Sequence, residues 1–232
     1  MGKKFVASYS GGKDSVLAVY RAIRQGMIPL ALITTFNAEQ NLTWFHGIPE
    51  TVLENAAKAI GLPIWLIKTN SDKYAEDFEA ALRSASEQGA QACVFGDIDI
   101  DEHIKWCTDR CEKAGIEPVF PLYGHSRKSV VNDFIDNGFT AHFTIIDTTK
   151  IKGDFPGKPL TKKILQEIEA QGADICGENG EYHTFVSDGP IFKEPVKFAF
   201  GEQIIIEGRL ILPVIPFMNY PPRIGRRLER LS

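Results

Sequence analysis

What is scarce in this chain narrows the field before any motif is read. Only four cysteines occur among 232 residues, Cys93, Cys107, Cys111 and Cys176, and no two stand in CxxC spacing. Neither a disulfide framework nor a thiolate zinc site of the usual spacing is expected. Basic excess is missing too: 26 Lys and Arg face 30 Asp and Glu, for a net charge of −4. That balance gives no bulk attraction to nucleic acid or an anionic membrane, so neither is expected as a partner. No apolar run approaches the ~20 residues that span a bilayer, and MGKKFVASYS has no apolar leader core. A cytoplasmic protein is the expectation. Internal repeats are absent.

What is present is ordinary globular material, 44% hydrophobic and 24% charged. The runs KKFVASY, IPLALITTF, PIWLIKT, QACVFGDI, EPVFPLY and FTAHFTII read as strands. They alternate with DSVLAVYRAIRQG, PETVLENAAKAIG, SDKYAEDFEAALRSASEQG, DEHIKWCTDRCEKAG and SRKSVVNDFIDNG, whose apolar residues recur at helical spacing. Ser71 or Asp72 is the expected cap of the third helix. The alternation predicts a doubly wound α/β domain with a mainly parallel sheet over residues 1–150. Residues 151–232 form a smaller α+β part: the loop KIKGDFPGKPLT with few fixed contacts, the helix LTKKILQEIEAQG and a β-rich end. The basic tail PPRIGRRLERLS reads as a solvated terminus. His103, Cys107 and Cys111, spaced four apart, read as a stripe on one half-buried helix face.

Two stretches do not fit a plain core. SYSGGKDS ends a strand and opens a helix, where unpaired N–H groups and the positive dipole end favour an anion. Gly11 and Gly12 let the backbone approach a ligand, Lys13 adds a charge, and Ser10 and Ser15 add hydroxyls. Asp14 either caps the helix or holds a magnesium ion bridging phosphates. The spacing is neither G-x-x-x-x-G-K-[ST] nor G-x-G-x-x-G. Gly96 and Asp97 end another strand on the same sheet edge, with Asp97 a candidate ATP or magnesium contact or a cap.

The second stretch, GENGEYHTFVSDGP, crowds Glu178, Asn179, Glu181 and His183 into one turn. Glu178 and Glu181 can bind an ammonium ion, deprotonate it or hold magnesium, and Asn179 can orient a carbonyl. The two stretches are expected to form opposite walls of one active site.

SGGKDS between strand and helix resembles the PP-loop of the ATP pyrophosphatases, with their adenine-nucleotide α-hydrolase-like fold. Together with the histidine of WFHGIP, VFGDI, FPLY and GENGEYHTFVSDGPIF, in that order, the chain is similar to the diphthine–ammonia ligases up to about residue 200. The family's second motif is closer to G-E-G-G-E-[YF]-E-T; Asn179 replaces a glycine and His183 an acid, and Tyr123 stands where many relatives carry Trp.

The resemblance implies that ATP, magnesium, ammonia and a carboxylate give an amide, AMP and pyrophosphate through an acyl-adenylate. It places adenine beside residues 34–37, with Thr34 and Phe36 as contacts, and magnesium at Asp14 and Asp97. His46, Tyr182 and Thr184 then serve the acceptor, with diphthine-modified elongation factor 2 as one candidate. Trp44 and Phe45 are core or lid residues. No glutaminase segment is visible, so free ammonia or an external donor is expected. Oligomeric state stays open. A tRNA-modifying PP-loop enzyme and an ATP-binding sensor are the rival readings.

Overall fold

The computed structural model describes residues 2–40, 42–44 and 46–217. Phe45 and the tail PPRIGRRLERLS lie outside the described residues.

Five strands run parallel in one sheet: β1 (Lys4–Ser8), β2 (Ile28–Asn37), β4 (Ile64–Thr69), β5 (Ala92–Val94) and β6 (Glu117–Val119). Their spatial order is β4-β2-β1-β5-β6, and the two-residue β3 (Leu42–Thr43) folds back antiparallel on the end of β2. The order reverses between β1 and β5, the switch point at which doubly wound folds leave a crevice.

Side chains of β1 alternate between two cores, as the pleat requires. Phe5 and Ala7 pack with α1 (Lys13–Arg24) and α2 (Glu50–Ile60); Val6 packs with α3 (Tyr74–Glu87) and α4 (Asp101–Ala114). Helices thus cover both faces. Cys107 and Cys111 are buried in the second of these cores, and all four cysteines are free. The cap of α3 differs from expectation. The N-cap is Lys73, with no side-chain cap bond, in place of Ser71 or Asp72; Asn70 accepts from the Lys73 N–H in the turn that leads in, and Ser71 bonds Asp72.

After α5 (Arg127–Asp136), capped by Ser126, the architecture departs from the simple alternation. The run FTAHFTII forms β7 (Thr140–Asp147), which is not a strand of the parallel sheet. It pairs antiparallel with β8 (Tyr182–Asp188) and β11 (Arg209–Ile211) in a second sheet, order β10-β11-β7-β8, with β10 spanning Ile204–Ile206. β7 therefore lies with elements that follow residue 150. The hairpin from β10 to β11 turns through Glu207 and Gly208, both at positive φ, as its two-residue connection demands. A short third sheet joins β9 (Phe198–Phe200) to β12 (Val214–Pro216).

The segment before α6 (Lys162–Glu169) is not loosely held. Ile151, Phe155 and Leu160 are buried, and Gly157, Lys158 and Leu160 exchange backbone hydrogen bonds with Phe143 and Ala141. Apolar residues every four or five positions pin this Gly- and Pro-rich stretch over β7.

Candidate active site

At the switch point, β1 ends in Ser8 and the chain turns through Tyr9–Gly12 into α1. Gly11 sits at φ +80, a conformation that disfavours any side chain, and a Cβ there would meet Leu53 at 2.9 Å. Gly12 is the N-cap of α1, so Asp14 is not. The loop is braced from within: Ser10 Oγ accepts from the Gly12 N–H, and Ser15 Oγ donates to the Gly12 carbonyl.

The second sheet docks directly on this loop. The Val186 N–H donates to the Gly11 carbonyl, and the Lys13 N–H donates to Thr184 Oγ1. Two motifs some 170 positions apart in the chain are joined by hydrogen bonds, with |i−j| of 171 for the second. Between them lies a cavity of about 360 Å³. Its lining includes Ser10, Lys13, Asp14, Ser15 and Thr34 from the parallel-sheet half and Glu178, Tyr182, His183 and Thr184 from the other, together with His46, Gly96 and Asp97.

Gly96 contributes space. A Cβ there would lie 2.8 Å from the Asp14 carbonyl carbon and the Ser15 nitrogen, so only glycine lets the β5 end pack on the start of α1. Asp97 lies 3.6 Å from His103 Nδ1 and accepts weakly from the Cys107 thiol; burial raises its pKa, opposed by His103. The N-cap of α4 is Ile100, so Asp97 does not cap that helix.

Charge concentrates at Lys13. Its ammonium sits 2.7 Å from Asp14 Oδ2 and 3.8 Å from Glu178 Oε1. Burial opposes its charge, yet Asp14 first and Glu178 among others hold its pKa well above the ordinary lysine value. Glu178 shows the reverse balance: burial outweighs Lys13 and pushes its carboxyl up to about 7. Ligand atoms of Asp14, Cys176 and Glu178 lie within 4.8 Å of one another. Two carboxylates suit a hard cation, a thiol does not, and Lys13 already shares both carboxylates.

In the same cavity the rings of His46 and His183 stand 4.8 Å apart. Burial and Lys13 depress His183 to about 4, and burial, His183 and Lys13 hold His46 well below its usual value. Both are neutral imidazoles near pH 7. His46 packs against Gly12, where a Cβ would come within 2.5 Å of its Nε2.

Five expected site residues do not line the cavity: Phe36, Asn179, Glu181, Gly11 and Gly12. Phe36 shares a face of β2 with Leu32 and Thr34, but it is fully buried in the core formed with α1 and α2. Glu181 is buried and accepts from the N–H groups of Asp174 and Asn179 and from Asn179 Nδ2. Asn179 in turn takes a hydrogen bond from Arg127. Both side chains frame the loop rather than face the cavity. Nor do Tyr182, His183 and Thr184 lie in the turn; they open β8, which carries them along the wall. Gly11 and Gly12 shape the loop without lining the cavity. Tyr123 is exposed and outside it.

Sequence reasoning missed Arg127 and Asp174, which pair with each other across 47 positions of the chain. It also missed the aromatic end of the cavity, where Tyr9, Trp44, Tyr74 and Phe78 stand; the Tyr9 hydroxyl and the Trp44 indole N–H are buried and without partners among the described residues. Repeated aromatics around the third helix were the available signal.

These features define a doubly wound α/β protein whose switch-point cavity is closed by an antiparallel second sheet. Family models for the diphthamide synthase N-terminal and C-terminal domains match residues 3–118 and 126–210, and the chain belongs to the diphthamide synthase family. It is similar to the diphthine–ammonia ligase of Danio rerio, 23% identical over 238 residues that cover 91% of this chain and 92% of that protein. The human diphthine–ammonia ligase is 21% identical, covering 91% of this chain and 88% of its own. A solved structure described as a predicted subunit of tRNA methyltransferase from Methanocaldococcus jannaschii aligns at 18% identity and a TM-score of 0.43. That alignment covers 83% of this chain and 100% of that one.

Proposed function

We propose that the protein is an ATP-dependent ligase that converts a carboxylate into an amide with ammonia, releasing AMP and pyrophosphate. One observation carries the reading: the glycine loop and Glu178 meet across a single cavity, with Lys13 3.8 Å from Glu178. Family membership supports the same chemistry.

In the first step an acceptor carboxylate oxygen attacks the α-phosphorus of ATP; the new P–O bond forms and the bond to pyrophosphate breaks. Lys13 and the start of α1 take up the charge of the departing pyrophosphate. Binding exchanges the Lys13–Asp14 and Lys13–Glu178 contacts for phosphate oxygens. Asp14 and Asp97, near enough for Asp14 to act on the Asp97 carboxyl, would hold magnesium, which when bound offsets phosphate charge and leaves Glu178 free to act as a base.

In the second step ammonia attacks the acyl carbon, and the C–O bond to AMP breaks with its electron pair leaving on AMP. Adenylation matters because a free carboxylate repels nucleophiles and lacks a leaving group. Glu178, poised near neutrality, takes a proton from the attacking nitrogen. The neutral rings of His183 and His46 admit ammonia without adding positive charge beside Lys13. Thr34 and the aromatic end take the nucleoside.

A second reading keeps the chemistry and changes the acceptor. His183 and Asn179 depart from the family motif, and His183 lines the cavity where the motif has an acid. This favours a carboxylate other than diphthine.

The test supplies magnesium-ATP and ¹⁵N-ammonium, with and without diphthine-modified elongation factor 2. Label incorporated into that acceptor supports the first reading. AMP released only with a cell extract redirects the search to another carboxylate. ATP bound without turnover under every condition sinks the ligase and leaves a sensor.

A further inference from the structure

Arg127 is the first residue of α5, where the helix dipole disfavours a cation. A local conflict of this kind points to a compensating partner elsewhere. The guanidinium spends its donors across the molecule. Nε and Nη2 grip both oxygens of Asp99 at 2.7 and 2.9 Å. Nη1 reaches Asp174 Oδ2 at 2.8 Å and Asn179 Oδ1 at 2.9 Å. Asp99 follows β5 on the parallel-sheet side; Asp174 and Asn179 precede β8 on the second-sheet side.

What Asp174 does next gives the arrangement its meaning. Its Oδ1 accepts from the Cys176 N–H and its Oδ2 from the Glu178 N–H. Glu181 closes the frame from the other end through the N–H groups of Asp174 and Asn179. The loop from 174 to 181 is therefore held by carboxylates, and Arg127 neutralises and aims one of them. Only a planar fork can serve Asp99 with two parallel bonds and the loop with a third edge; a lysine ammonium cannot.

We propose that Arg127 is a positioning residue, a latch between the two sheets that fixes the Glu178 carboxylate opposite Lys13. This rests on the role given above to Glu178, and the test separates the two ideas. In Arg127→Ala, amide hydrogen exchange speeds up at Cys176, Glu178 and Asn179 while β1 and α1 keep their protection. Acceptor-dependent turnover falls about 10- to 100-fold, the range for a residue that orients a reacting group, with the ATP KM within about threefold. Added guanidinium recovers part of the loss, and Arg127→Lys does not. Arg127→Ala combined with Glu178→Gln is no slower than Glu178→Gln alone, because both remove one function. Asp99→Asn, at a half-exposed position, gives a milder version in a chain that keeps its fold.

Additive losses in the double variant would overturn the latch. So would exchange that stays unchanged, or that rises evenly through the chain. The exchange result decides the matter even if the protein forms no amide, so failure of the ligase reading is told apart from failure of the latch.

Discussion

At the scale of single residues, the proposed chemistry rests on Lys13 and Glu178, whose charged groups stand 3.8 Å apart. Lys13→Met removes the ammonium facing Asp14 and Glu178, and ATP binding should weaken about 10- to 100-fold, the worth of one charged hydrogen bond. Titration of bound nucleotide by calorimetry measures it. Glu178 must be ionised to accept a proton, and its carboxyl titrates near 7, so turnover should rise with pH through that range. The same shift acts on stability with the opposite sense. A carboxyl raised from about 4.5 by burial favours the protonated fold, so the folded state loses stability as pH climbs from 4.5 through 7. Glu178→Gln should therefore melt higher than wild type at pH 8, match it at pH 4, and keep a slow residual acceptor-dependent turnover that no longer rises with pH; scanning calorimetry at the two pH values checks the sign.

Residues whose role is set by neighbours in the chain were legible from sequence. Ser10 to Ser15 announce a loop between strand and helix because the turn and the helix start are adjacent. Glu181 was not legible as a brace. A carboxylate in a glycine-rich turn looks like a ligand group, and only the fold shows three N–H donors already on it. Arg127 was invisible because its partners stand 28, 47 and 52 positions away.

At the scale of elements, the docking of β8 on the start of α1 decides whether the cavity exists. Thr184→Val removes the acceptor for the Lys13 N–H and should cost about 1 kcal/mol, lowering Tm by roughly 2–4 °C. The loss of anchorage should also raise the KM for ATP. Gly96→Ala forces a methyl into backbone at 2.8 Å, and a loss of about 1–3 kcal/mol is expected together with weakened nucleotide binding. Helices and parallel strands were readable because their periods differ and their order alternates. FTAHFTII was readable as a strand but not as a member of the right sheet. An apolar strand buried on both faces carries no mark of its partner's direction, and β7 is such a strand. The stretch before α6 misled for a related reason: glycine and proline signal turns, while Ile151, Phe155 and Leu160 supply the anchorage.

At the scale of the whole molecule, the two sheets share one core. Phe5, Leu17 and Leu53 of the parallel-sheet half join one buried cluster with Phe143, Tyr182 and Phe185 of the second sheet. Neither half can open without exposing the other, so heat unfolding should be a single transition with calorimetric and van 't Hoff enthalpies in agreement. Two resolved transitions would mean that the halves are independent. The shared core also keeps the glycine loop and Glu178 in register, and the proposed function depends on that register.

The central claim is that this cavity breaks ATP between its α and β phosphates. Phosphorus NMR of magnesium-ATP incubated with the protein, ammonium and a cell extract as acceptor source tests it most directly. AMP and pyrophosphate, formed by wild type and lost with Lys13→Met, are the predicted products. ADP and inorganic phosphate from wild type, also lost with Lys13→Met, would contradict the claim.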